Sequence, residues 1–215
     1  MSFTARRLLV TIVSIALPWA AFAQDAARPA PQPPGGGVDF EAFTRIERHD
    51  FGVPPTDRLH AGPMHGPTPA SIPGGQVVTT QGLVALIQGR QAPFIVVDVL
   101  GQPETLPNAV AGAWLAQPGT FDDPIQRQAA QMLGQLTQGR NDVALVFYCL
   151  SRECWMSYNA ALRAIRAGFA NVLWYRGGTE AWKAAGLPMQ HGQPGKKLRI
   201  KAVGLGVLEE IVTQI

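Results

Sequence analysis

Val143-Ala144-Leu145-Val146-Phe147-Tyr148-Cys149-Leu150-Ser151-Arg152-Glu153-Cys154-Trp155 is the stretch on which the reading of this chain turns. Val143–Tyr148 is apolar at every position. A run this short without polar alternation is the mark of a strand covered on both faces. The chain then turns polar for a few residues and enters a helical stretch, Trp155–Gly168. In an open parallel sheet, ligands gather at the carboxyl ends of the strands, and Cys149 is the first residue past such an end. The following helix N-terminus offers unpaired N–H groups and positive potential. A cysteine so placed ionises below its ordinary value of about 8.5, and the thiolate is a nucleophile. The bland alternative, a buried cysteine acting as a small hydrophobe, fits a mid-strand position better than the threshold of a polar loop.

Outward from this stretch the same texture repeats. Phe94–Val99 is a second apolar run, broken only by Asp98 near its end, and Asn171–Tyr175 and Gln76–Val78 are shorter ones. Between them lie helical stretches: Gln81–Gly89 behind a capping Thr79 or Thr80, with Leu83, Val84, Leu86 and Ile87 inward; Pro124–Gly139; and Thr179–Gly186. Strands alternating with helices of about ten residues predict an α/β fold. The expectation is one domain over 76–190, with a short central parallel sheet flanked by helices.

The flanks read differently. Arg6 and Arg7, the apolar run Leu8–Ala20 and Ala21-Phe22-Ala23 have the order of a cleaved secretory signal, residues 1–23. The apolar run is short for an uncleaved membrane anchor, the competing reading. Residues 24–37, rich in Pro and ending in three glycines, read as a flexible arm. In 38–75, Val38–Asp50 has the makings of a short helix, and Phe51–Gly75 is Pro/Gly-punctuated chain expected to wrap over the domain in extended form. The tail, 191–215, has a basic start and an apolar segment, Val203–Val212, suited to a final helix, with no functional signal.

The 215 residues are 47% hydrophobic and 15% charged, enough to bury a core and too apolar for disorder throughout. With 23 Gly and 18 Pro, the composition argues against a helical bundle. Of 18 Lys and Arg, two belong to the signal; the remaining 16 against 15 Asp and Glu leave a net charge of +1. Nucleic acid is therefore not an expected partner. Two cysteines exclude a multi-disulfide scaffold, and export would place both where a disulfide persists.

Asp98, Tyr148-Cys149, Asn159-Ala160-Ala161, Gly168, Val172, Gly177-Gly178, Trp182 and Gly186-Leu187-Pro188 together resemble a rhodanese-homology domain. The narrower string Cys149, Cys154-Trp155-Met156-Ser157, Asn159-Ala160-Ala161 resembles the exported PQQ-dependent catabolism-associated CXXCW-motif group. The resemblance covers about Val77–Met189. It implies a periplasmic sulfurtransferase in which Cys149 attacks a sulfane sulfur and carries it as a persulfide to a thiophilic acceptor. Backbone amides of Leu150, Ser151, Arg152, Glu153, Cys154 and Trp155 would cradle the persulfide, Arg152 would attract a small sulfur-containing anion, and Asp98 would hold the strand-end loops. A pathway role beside PQQ-dependent oxidation follows from the resemblance alone.

Alternatives stay open. The module could be non-catalytic or a thiol-redox accessory docking on an exported dehydrogenase or cytochrome. Cys154, five positions after Cys149, could resolve a persulfide or sulfenate, or close a static bridge. An activated Cys149 would make any such disulfide labile, with Cys149 the first thiol to react after mild reduction. A cysteine phosphatase needs Arg six positions after its Cys to fork onto phosphate; that position is Trp155. His60, Met64 and His65 have copper-ligand chemistry but sit in Pro/Gly-rich chain and read as solvated loop; His49 and His191 are isolated. No metal or organic cofactor is expected, and no Gly-rich phosphate fingerprint follows a strand. Trp155, Trp174 and Trp182 read as core or rim aromatics.

Overall fold

The computed structural model describes residues 39–89 and 93–191. The signal, the flexible arm and the proposed final helix of the tail lie outside these residues.

Among the described residues, seven strands and five α-helices follow in chain order: α1 Phe40–Glu47, β1 Gln76–Val78, α2 Thr80–Gly89, β2 Phe94–Asp98, β3 Glu104–Thr105, β4 Val110–Ala111, α3 Pro124–Leu136, β5 Ala144–Tyr148, α4 Trp155–Arg166, β6 Val172–Tyr175, α5 Gly178–Ala184 and β7 Gln190–His191, with a 3-10 turn at Ala113–Ala116. The main sheet has the order β1-β6-β5-β2-β4, with every pairing parallel. The α/β architecture expected from the alternating pattern is the one observed. What the pattern missed is short: β4 on the sheet edge, the 3-10 turn, and the two-residue antiparallel ribbon β3–β7. Two-residue strands are too brief to show any period.

The continuous apolar run of β5 is explained by its place at the centre of the sheet. Leu145 and Phe147 join one core with Leu133 of α3 and Tyr158 and Leu162 of α4. Val146 and Tyr148 face the other way, into a core with Leu83 and Ile87 of α2 and Trp182 of α5. Side chains alternate faces along a strand, so a strand with helices on both sides needs apolar residues at every position. Each such side chain contributes about 1.5–3 kcal/mol on full burial. Ala160, Ala161 and Ala164 on α4 are buried without a long side chain, which lets that helix lie close against the sheet.

Thr79 caps α2: its carbonyl accepts from Leu83 N at 2.8 Å and its hydroxyl from Gly82 N at 3.3 Å. Asp123 caps α3 through Gln126 N at 2.7 Å and also grips the buried Arg163 of α4 with both carboxylate oxygens, at 3.0 and 2.9 Å. This pair ties α3 to α4.

The register sets the strand ends side by side. Asp98 pairs across from Tyr148, and Tyr148 from Tyr175. Three loops therefore leave the sheet at one level: Val99–Gly101, Cys149–Cys154 and Arg176–Gly177.

Candidate active site

Cys149 follows the last residue of β5, and Cys154 is the N-cap of α4. The intervening loop folds back on itself, the two Cα atoms stand 6.4 Å apart, and the two sulfurs form a disulfide. Cys149 is 1% exposed and Cys154 5%. The Cys149 sulfur is 3.0 Å from the hydroxyl of Ser157, in the first turn of α4, and 3.3 Å from the carbonyl oxygen of Cys154. Trp174 of β6 donates its indole N–H to the same Ser157 hydroxyl at 3.0 Å.

The loop is held from the α5 side by its carbonyls. Thr179 N donates to Cys149 O and Glu180 N to Leu150 O, each at 3.0 Å. Gly178 makes this approach feasible. Its φ is +63°, and a Cβ there would collide with the Cys149 and Leu150 carbonyl oxygens.

Of the amides from Leu150 to Trp155, half are already committed. Glu153 N donates to Ser151 Oγ at 3.3 Å, Cys154 N to Ser151 O at 3.1 Å and Trp155 N to Met64 O at 2.9 Å. Among the described residues, no acceptor meets the amides of Leu150, Ser151 or Arg152. An anion at the loop would thus be met by its first half. Arg152 itself points elsewhere: its Nη1 donates to Ile46 O at the end of α1, at 2.6 Å, and its guanidinium lies 5.3 Å from the centre of the Phe51 ring.

The segment before β1 runs over this loop. His65 bridges to Cys154 in antiparallel fashion, Gly66 N donates to Glu153 O at 2.8 Å, and Thr68 Oγ1 donates to Arg152 O at 2.5 Å. Asn159 clasps His60 by both backbone groups, receiving from His60 N at 2.8 Å and donating to His60 O at 2.9 Å. Tyr158 does the same for Thr56. The His60 ring stacks on Trp155, 4.1 Å between centroids, and Met64 packs on the core. The solvated-loop reading of His60 and Met64 therefore needs correcting. Pro and Gly supply the extended, turning backbone that a strap requires, and the same composition resembles a free loop. Among the described residues no group of three or more His, Cys, Asp or Glu is placed to hold a metal.

Two buried polar groups fasten the neighbouring strand ends. Asp98 Oδ1 accepts from Leu100 N at 2.8 Å and Gly101 N at 3.3 Å. Burial still outweighs these bonds and raises the Asp98 carboxyl above the ordinary aspartate range. Arg176, fully buried, donates to Glu47 O, His49 O and Thr68 O at 2.7–2.8 Å and to Thr68 Oγ1 at 3.1 Å. It anchors α1 and the strap to the end of β6. Sequence reading assigned no site role to Ser157, Trp174 or Arg176, and it did not place the fastenings of the strap. The one available signal was Ser157, two residues before the Asn-Ala-Ala run and within one helical turn of Cys154.

No match was found among curated proteins. Solved structures of similar fold include a protein from Lactobacillus plantarum (22% identity, 54% of this chain and 87% of that one, TM-score 0.41). They also include yeast Ygr203w, described as a protein tyrosine phosphatase of the rhodanese family (21%, 53% and 88%, 0.42). A third is thiosulfate sulfurtransferase from Pseudomonas aeruginosa (21%, 55% and 21%, 0.41). Residues 79–185 match the family model described as Rhodanese-like domain, and they carry four of the five strands of the parallel sheet. The segment that builds the sheet and carries the Cys149 loop is a rhodanese-like domain.

Proposed function

We propose that this domain is a sulfurtransferase that handles sulfane sulfur at Cys149. The reduced Cys149 thiolate attacks the outer sulfur of a small sulfur-containing anion or persulfidic thiol. The new S–S bond makes Cys149 a persulfide, and the rest of the donor leaves with the electron pair of the broken bond. A thiophilic acceptor then takes the outer sulfur and Cys149 departs as thiolate. Where no acceptor is present, the Cys154 thiolate attacks the Cys149 sulfur, expels hydrosulfide and closes the disulfide, which an external dithiol reopens. The observation that carries this reading is a cysteine at the carboxyl end of the central strand whose sulfur is within bonding reach of a second cysteine in the same loop.

The test is sulfur loading followed by mass spectrometry. Reduced Cys154→Ser protein treated with thiosulfate or a polysulfide should gain the mass of one sulfur atom, and Cys149→Ser should gain none. Lack of loading with either donor would reject the transferase and favour an accessory module docking on an exported dehydrogenase or cytochrome. The near-complete burial of Cys149, in a loop whose second half is covered by the strap, is the observation that favours this second reading. Phosphatase chemistry is not supported, since position 155 is a buried Trp and the one arginine of the loop is held by Ile46 and Phe51.

The proposed setting is the periplasm. Its support is the order Arg6-Arg7, Leu8–Ala20, Ala21-Phe22-Ala23, and protein recovered there should begin at or near Gln24. Service to a PQQ-dependent oxidation rests on the resemblance of the Cys149–Ala161 string. Failure to co-purify with any PQQ-dependent dehydrogenase or its cytochrome acceptor would remove that part of the proposal.

A further inference from the structure

Trp174 belongs to the main core, and with Ser157 it also forms a directed hydrogen-bond chain ending on the reactive sulfur. An indole N–H can only donate, so the 3.0 Å contact makes Ser157 Oγ the acceptor. The one hydroxyl proton of Ser157 is then free to point along its other short contact, 3.0 Å to Cys149 Sγ. Whenever that sulfur carries no proton, as thiolate or in a disulfide, Ser157 is the donor. Cys149, Ser157 and Trp174 are 1%, 1% and 0% exposed. No bulk water competes for the bond, and a charged sulfur gains more from it than a neutral one. The other near neighbour of the sulfur, the Cys154 carbonyl, has the opposite preference because it can only accept and so favours the protonated thiol.

We propose that Ser157 is a catalytic residue that donates to the Cys149 sulfur and makes it the leaving sulfur, with Trp174 as the positioning residue that aims the hydroxyl. The inference extends the sulfur-handling reading but is tested without sulfur transfer. It also fixes the direction in which the disulfide opens. An incoming thiolate attacks Cys154, the more exposed of the two cysteines, and forms a mixed disulfide there. The electrons of the broken bond go to Cys149, which emerges as a thiolate under Ser157. The acceptor step of sulfur transfer uses the same leaving group.

The experiment reads the pH dependence of iodoacetamide alkylation in the reduced full chain carrying Cys154→Ser, so that only Cys149 reports. Adding Ser157→Ala should raise the alkylation midpoint by about one pH unit, a tenfold loss of thiolate below it. Ser157→Thr should restore the midpoint. Trp174→Phe should raise it by a smaller step, with folding checked by circular dichroism. An unchanged midpoint in folded Ser157→Ala would overturn the proposal, as would failure of Thr to rescue. A second measurement needs no variant: wild-type disulfide protein is pulsed with glutathione, quenched with iodoacetamide and peptide-mapped. Glutathione on Cys154 with alkyl on Cys149 is the expected product; the reverse labelling would overturn the proposal. Neither readout depends on sulfur loading. A domain that never accepts sulfur but shifts its midpoint would therefore refute the transferase reading alone.

Discussion

Replacing Gly178 with alanine strikes the active loop through its backbone. Gly178 has φ +63°, and a Cβ there meets three backbone atoms of Cys149 and Leu150 at 2.5–2.6 Å. Neither side has a flexible tip that could swing away. Left-handed backbone costs an L-residue roughly 1–2 kcal/mol, and forcing an extra methyl into packed surroundings costs roughly 1–3 kcal/mol more. The total, about 2–5 kcal/mol, is a large fraction of the roughly 5–15 kcal/mol by which a domain is stable. Gly186 supplies the control. Its φ is +69°, but nothing lies within 4 Å of a Cβ built there, so Gly186→Ala should cost only about 1–2 kcal/mol. Urea unfolding followed by tryptophan fluorescence measures both. Relief of the collision would push the Cys149 and Leu150 carbonyls off the Thr179 and Glu180 amides, so Gly178→Ala should also alter the rate at which reduced Cys149 alkylates. Equal stability losses in the two variants would refute the crowding argument and leave only a conformational preference common to both.

Asp123→Asn leaves the buried Arg163 guanidinium without its counter-charge and should cost about 1.5–3 kcal/mol in chemical denaturation. Hydrogen bonding to Arg163 holds the Asp123 carboxyl below the ordinary aspartate range. Its stabilisation is therefore complete above that range and is lost as pH falls through the depressed value, and the variant should show less of this acid sensitivity. Glu47 has the opposite sign. Burial raises its carboxyl despite the bonds from Thr80 N and Oγ1, so stability should fall as pH rises from the ordinary glutamate value towards the raised one. Glu47→Gln should flatten that slope; a slope unchanged in the variant would show that another group is responsible. Arg176→Met strands the carbonyls of Glu47, His49 and Thr68. It should cost about 2–4 kcal/mol and expose the 51–75 strap to limited proteolysis before the sheet unfolds.

Much of the architecture was legible because burial on both faces writes itself into composition. Val143–Tyr148 and Phe94–Val99 are apolar throughout since their alternate residues enter two separate cores. Thr79 is legible for a related reason: a cap needs a side-chain acceptor. These requirements are local, so a one-dimensional string can carry them. The position of Cys149 past a buried strand belongs to the same class.

What surrounds that cysteine was decided only by the tertiary structure. The five-residue offset between Cys149 and Cys154 is compatible with many loop shapes, and it becomes a disulfide because Thr179 and Glu180 hold the carbonyls of one end while α4 holds the other. Arg152 reads as an anion-attracting loop arginine in sequence, yet it reaches a helix end more than a hundred residues earlier in the chain. Trp174 lies 17 residues beyond Ser157, on a different element, and meets it because β6 lies beside β5 in the sheet. Pro- and Gly-rich chain over 51–75 suggests an extended wrap but not where it is fastened, because its fastenings, Tyr158, Asn159 and Arg176, stand elsewhere in the sequence. Local pattern records which face of an element is buried. It cannot record which distant hydrogen-bonding groups meet, since that depends on strand order and register, and the chemistry of Cys149 is set by those meetings.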